Sequence, residues 1–209
     1  MAVEHLDPVR PVREHDGPAV EHAMRTVTRQ VAFESGWSEE RAGKVAALFD
    51  SMASAWTADH AVDERYWPLE DALERGRPTR GRVIELGSGT GLGTELIGPW
   101  AGSVLAIDLS WEMLIHAPEA LGPRVQADSN QLPLPDASVD CCVLVNMLLF
   151  PAEVDRILRQ DGTVVWVNTV GERTPIHLSA EEVIEALPGP WTAVASRAGL
   201  GTWAVCRRR

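Results

Sequence analysis

The stretch Arg82-Val83-Ile84-Glu85-Leu86-Gly87-Ser88-Gly89-Thr90-Gly91-Leu92-Gly93-Thr94 constrains the fold more than any other part of the chain. An apolar strand runs into an acid and then into a turn dense in glycine. Glycine reaches positive φ freely and carries no Cβ, so a ligand can lie directly against the backbone at such a turn. The plain alternative is an ordinary strand-to-helix glycine turn. A dinucleotide fingerprint needs G-x-G-x-x-G. Counted from Gly87 the sixth position is Leu92, and from Gly89 it is Thr94, so the spacing disfavours a nicotinamide oxidoreductase.

Downstream segments sharpen the choice. Ser103-Val104-Leu105-Ala106-Ile107-Asp108 reads as a second short buried strand ending in an acid. A carboxylate about 20 residues after the glycine turn can accept from both hydroxyls of a ribose. Asp108 can equally cap a helix beginning at Ser110-Trp111-Glu112. Arg124 to Asp140 includes Ala127-Asp128-Ser129 and Leu132-Pro133-Leu134-Pro135, where Asp128 also suits a turn-initiating role. Cys141-Cys142-Val143-Leu144-Val145 is continuously apolar, as in a strand covered on both faces. It places Asn146 at a strand's carboxyl end, facing a ligand crevice.

Taken in order, Phe49 to Trp56 (F-D-x-x-A-x-x-W), Glu85 to Gly91 (E-x-G-x-G-x-G), Ala127 to Asp140 and Arg156 to Gly162 resemble the class I S-adenosylmethionine (SAM) dependent methyltransferases, of the small-molecule, type 11-like kind. The resemblance covers residues 45 to 170 well and the rest by topology. It implies an α/β fold, a Rossmann-like three-layer sandwich. Its seven-stranded, mostly parallel sheet has an antiparallel C-terminal strand, and helices precede it. SAM is then the cofactor and S-adenosylhomocysteine (SAH) its product. Glu85, Gly87, Ser88, Gly89 and Gly91 are expected at its methionine end, Asp108 with Leu109 at the ribose, and Asp128 with Ser129 at the adenine edge. Trp56 covers the cofactor or packs in the core, and Asn146 lines the crevice. The chain departs from the family at Gln160 and Asp161, which replace the proline and first glycine of a turn.

A chain of 209 residues with 45% apolar side chains suffices for one α/β domain. Residues 1–37 are assigned as an arm and helix, forming a lid or a homodimer contact, and 38–209 as the methyltransferase domain. Residues 1 to 17 read as a flexible arm, and Val20, Met24, Val27 and Val31 as an amphipathic stripe. A net charge of −11 argues against a nucleic-acid substrate, which calls for a basic track. No long apolar window or apolar N-terminal signal core occurs, so the expected location is the cytoplasm, with no membrane contact. Cys141, Cys142 and Cys206 lack metal spacing and read as reduced packing residues.

Val45, Leu48, Phe49, Met52 and Trp56 share one face of a helix for which Ser38 is the N-cap. Methyl transfer depends mainly on placement, but an alcohol acceptor must also lose a proton. His60 is the first candidate base, with Asp63 and Glu64 three and four residues on to hold its ring if the segment is helical. His177, in the loop after the fifth strand, is the second. His116 more simply ends the helix after Asp108. No metal is assigned. Eight tryptophans are unusual: Trp166 and Trp203 belong in strands, while Trp56, Trp67 and Trp111 fall where they can line the crevice and stack on a sugar. The expected activity is therefore methylation of a small-molecule acceptor in biosynthesis, with a hydroxyl oxygen, including that of a sugar, favoured. The alternatives are N- or C-methylation, or a SAM-binding module without catalysis.

Overall fold

The computed structural model describes residues 2–14 and 22–209. The Asp16-Gly17 turn and Val20 lie outside them. The described strands are β1 (Val3–His5), β2 (Val83–Leu86), β3 (Val104–Asp108), β4 (Arg124–Gln126), β5 (Val139–Val145), β6 (Leu158–Asn168), β7 (Trp191–Ala198) and β8 (Gly201–Arg208). The helices are α1 (Ala23–Phe33), α2 (Glu39–His60), α3 (Asp63–Arg75), α4 (Leu92–Ala101), α5 (Trp111–His116), α6 (Pro151–Ile157) and α7 (Ala180–Ala186).

Apolar runs at β2, β3, β5 and β6 pair in parallel, because the helices between them return the chain to the same end of the sheet. The order is β1-β7-β8-β6-β5-β2-β3-β4, with β8 antiparallel to both β6 and β7. Successive residues face opposite layers. Ile84, Cys142, Val164 and Trp166 enter the core beneath α6 and α7, while Val83, Cys141, Val165 and Trp203 enter the core with α3. Trp166 and Trp203 are buried, their indole N–H groups donating to Leu178 O at 3.0 Å and Asp71 Oδ2 at 2.8 Å. All three cysteines are buried and free.

Two expectations are corrected. The sheet has eight described strands where seven were expected, because Val3–His5 adds in parallel to β7. The arm is therefore anchored. Val3 is buried, Arg10 pairs with Glu70, Arg13 with Glu64 at 2.7 Å, and Arg75 donates to Asp7 O at 2.9 Å. Second, the turn expected at 156–162 is built into a longer strand. β6 starts at Leu158, opposite Val139, and its register shifts before Thr163 pairs with Cys141, so the exposed residues 159–161 bulge from the sheet.

Candidate active site

Strand order reverses between β5 and β2, and loops at the carboxyl ends of the central strands open a crevice there. A cavity of about 510 Å³ fills it. Its floor is the strand ends with Glu85, Gly87, Ser88, Gly89, Asp108, Leu109, Asp128, Ser129 and Asn146, and its roof is α2 with Val45, Phe49, Met52, Trp56 and His60. The apolar face of α2 thus turns to the cavity rather than to a core, and Ala53 is the helix's sole buried residue. Ser38 caps this helix, accepting from Arg41 N at 3.3 Å.

Each acid is held by its local turn. Glu85 is 2% exposed, its Oε2 accepts from Thr94 Oγ1 at 2.5 Å, and burial pushes its carboxyl up to about 8 against the Thr94 hydrogen bond. Gly93 has no room for a side chain, because a Cβ there would lie 2.1 Å from Glu85 Oε1. Asp108 accepts from Gly89 N at 2.7 Å and Ser110 N at 2.8 Å, and burial raises its carboxyl above the usual range. Asp108 therefore ties the glycine turn to the cap of α5, where Ser110 accepts from Met113 N at 3.0 Å. Asp128 accepts from Asn130 N and from the Trp37 indole, each at 2.8 Å. Asp50 of the F-D pair accepts from Ser110 Oγ at 2.5 Å and fastens α2 over this wall.

His60 lines the cavity, stacked on Trp56 at 3.9 Å between ring centroids and tilted 17°. Its Nδ1 lies 2.9 Å from Trp56 O. A carbonyl only accepts, so the proton sits on Nδ1 and the Nε2 lone pair is open to a ligand. The expected support from Asp63 and Glu64 is not formed. The helix breaks after His60, α3 begins a new axis at Asp63, and Glu64 pairs with Arg13. His177 is also corrected: it lies outside the cavity, with Glu172, Glu182 and Arg25 as its charged neighbours and burial lowering its tendency to protonate. Gly91 is another correction. It caps α4 and faces Leu121 rather than the cavity. Asn146 lines the cavity, but both ends of its amide engage Thr169, at 2.8 and 2.9 Å, which locks the ends of β5 and β6 together. Trp111 is 53% exposed and, like Trp67, is not among the lining residues.

Four lining groups carry no sequence signal of their own: Trp37, His22, Arg65 and Tyr66. Trp37 is an isolated aromatic ahead of the cap of α2, and only the closing of α1 and α2 over the strand ends brings it to Asp128. Met24, Met147, Leu148, Phe150 and Ile176 make one wall wholly apolar, continuous with the cluster around Val31.

A doubly wound sheet with this crevice defines an α/β protein that holds a small ligand at its topological switch point. The residues fit SAM. At Gly89, φ +54°, a Cβ would project into the cavity towards Trp56 and Met113, so the bare turn leaves a cradle, and buried Ser88 Oγ has no partner among the described residues. Three carboxyls along one wall suit an ammonium, a ribose and an amino-purine. Residues 84–166 match the family model described as a methyltransferase domain. The chain is 28% identical over 166 residues to a demethylmenaquinone methyltransferase of Mycobacterium sp. (strain KMS), covering 73% of this chain and 72% of that protein. It is 29% identical over 133 residues to the ubiquinone/menaquinone biosynthesis C-methyltransferase UbiE of Pseudomonas fluorescens, covering 56% and 52%. The fold is similar to that of DhpI in its complex with SAH, with a TM-score of 0.66, 22% identity, and 82% and 98% of the two chains covered. The likeness to the SAM-dependent methyltransferases is carried by residues 84–166, about two fifths of the chain, and the protein's cofactor is SAM. Among the described residues no helix is long and apolar enough to cross a membrane.

Proposed function

We propose that this enzyme methylates a small, largely apolar ring compound bearing an ionisable hydroxyl, at that oxygen or at the ring carbon beside it. The apolar wall of Met24, Met147, Leu148, Phe150 and Ile176 carries the reading. A sugar would strand several hydroxyls against it, each costing about 1–3 kcal/mol without a partner, whereas an aromatic ring is at home there. The sugar acceptor is therefore set aside. The named activities of the quinone-pathway relatives support the same class and weight the carbon over the oxygen.

When bound, SAM supplies an activated methyl group on a sulfonium. The site residues proposed to hold it are Glu85 and the 87–89 turn at the methionine end, Asp108 and Leu109 at the ribose, Asp128 and Ser129 at the adenine, and Trp56 above. The protein's task is alignment and removal of one proton. His60 Nε2 takes the acceptor's hydroxyl proton, and the face of Trp56 receives the imidazolium so formed. The electron pair left on oxygen forms the bond to methyl there, or, passed through the ring, forms it at the neighbouring carbon, whose own proton then leaves as the oxygen is reprotonated and the ring restored. In either case the methyl–sulfur bond breaks and SAH departs. Both outcomes need the same base.

The test incubates the enzyme with methyl-labelled SAM and a short-chain demethylnaphthohydroquinone, beside a panel of sugars. We expect a methylated quinol whose carbon or oxygen linkage NMR assigns, and a His60→Ala variant about 10²-fold slower with SAH binding retained. Methylation confined to sugars, or full activity in the His60 variant, would overturn the proposal.

A further inference from the structure

Among the described residues lining the cavity, Arg65 is the sole lysine or arginine. In a chain with a net charge of −11, carboxylates are in surplus, and the other arginines around α3 have taken them. Arg10 pairs with Glu70 and Glu74, Arg13 with Glu64, and Arg75 with Asp71. Arg65 enters no such ion pair among the described residues, although Glu64 is its chain neighbour. Its Nε is shut off from solvent with no acceptor among the described residues. Its neighbour in the cavity lining is the Tyr66 phenol, which burial holds neutral by pushing it up to about 12. A charge kept half-buried beside a neutral partner lacks its counter-ion, and a planar guanidinium matches a carboxylate in charge and shape.

We propose that Arg65 is a carboxylate-binding subsite of the cavity. The inference rests on the reading of this cavity as the cofactor and acceptor site. Two sources of carboxylate fit. Arg65 lines the same cavity as Glu85 and the 87–89 turn, where the amino-acid end of the cofactor is proposed to lie. Arg65 also shares the cavity with Val170 and Thr174, on the loop after β6, where an acidic group of the acceptor would arrive.

Calorimetry with matched pairs of ligands separates these sources and tests the subsite. The first pair is SAH and its decarboxylated analogue. The second, titrated into SAH-loaded protein, is 4-hydroxyphenylacetate and 4-hydroxyphenylacetamide. In one pair the wild type should prefer the carboxylate-bearing member by tenfold or more. Arg65→Met should equalise that pair with little change for the uncharged member, and Arg65→Lys should keep part of the preference. Because each ratio is taken within one variant, a general loosening of the site lowers both affinities and leaves the ratio alone. A preference that survives Arg65→Met, or a wild type indifferent in both pairs, overturns the proposal. A folded wild type that binds no SAH would refute the cofactor reading instead, and the second pair, run without SAH, still reads Arg65.

Discussion

Glu85 is a carboxyl held where ionisation is hard, walled by Gly93 and Thr94 with no cationic partner among the described residues. Its ordinary value of 4.5 rises to about 8 through burial. Above its unfolded value a denatured chain sheds the proton that the folded chain keeps, so the unfolded state gains. The stability this group contributes is whole below pH 4.5 and is lost as pH climbs through about 8, at up to about 1.4 kcal/mol per pH unit. Glu85→Gln should therefore remove this slope in the ligand-free enzyme. Urea unfolding at pH 5, 7 and 8.5 checks it, and parallel profiles for the two proteins would contradict it. The bound cofactor's ammonium should offset the same cost, one physical reason for an acid at the end of this strand. The identity of the acid, the glycine turn and Asp108 were all legible as residues. That Gly91 would cap a helix while Gly89 faced the cavity was not, because spacing alone does not say which way a Cα points.

At the scale of elements, α1 and α2 roof the crevice through a few identifiable ties. Trp37 donates to Asp128 at 2.8 Å and meets Phe150 edge-on at 5.2 Å between ring centroids. Thr57 donates to Thr90 at 2.8 Å, and Asp50 holds the start of α5. Trp37→Phe keeps the ring contact and deletes the hydrogen bond to the carboxylate. We expect a folded protein with SAH affinity about tenfold weaker, read by calorimetry. Unchanged affinity would mean that the turn with Asn130 alone positions Asp128. The amphipathic pattern of α2 and its Ser38 cap were readable from periodicity, yet periodicity does not tell a core from a cavity, and here the apolar face meets the cavity. His60 failed as a helical pair with Asp63 and Glu64 for a related reason: the chain turns at Ala61 and Val62, and a run of charges carries no mark of that break. His22 and Arg65 were invisible because each is an ordinary polar residue until the roof closes.

For the whole molecule, the sheet makes the site by collecting loop residues from β2, β3, β4 and β5 at one end while the apolar layers exclude water from its middle. Burial pushes the Cys141 and Cys206 thiols up to about 12 and the Cys142 thiol well above its usual value, so they stay un-ionised and unreactive in the native state. With a thiol reagent at pH 8 we expect no labelling of the folded enzyme over minutes and three equivalents in denaturant, the native rate following global unfolding. Rapid native labelling of the adjacent pair would mean that β5 opens locally.

The sequence by itself determined the central strands, the order of the cofactor motifs and so the fold class, because strand burial, helix caps and glycine turns are local chemistry that few neighbouring residues specify. Tertiary structure alone decided that residues 3–5 extend the sheet, that His177 lies outside the cavity, and that Trp37 and Arg65 enter it. These outcomes rest on which distant groups meet: Val3 with Ala193 across a strand pair and Trp37 with Asp128 across the crevice. Contacts of that range are set by how whole layers pack, and no pattern along the chain records them.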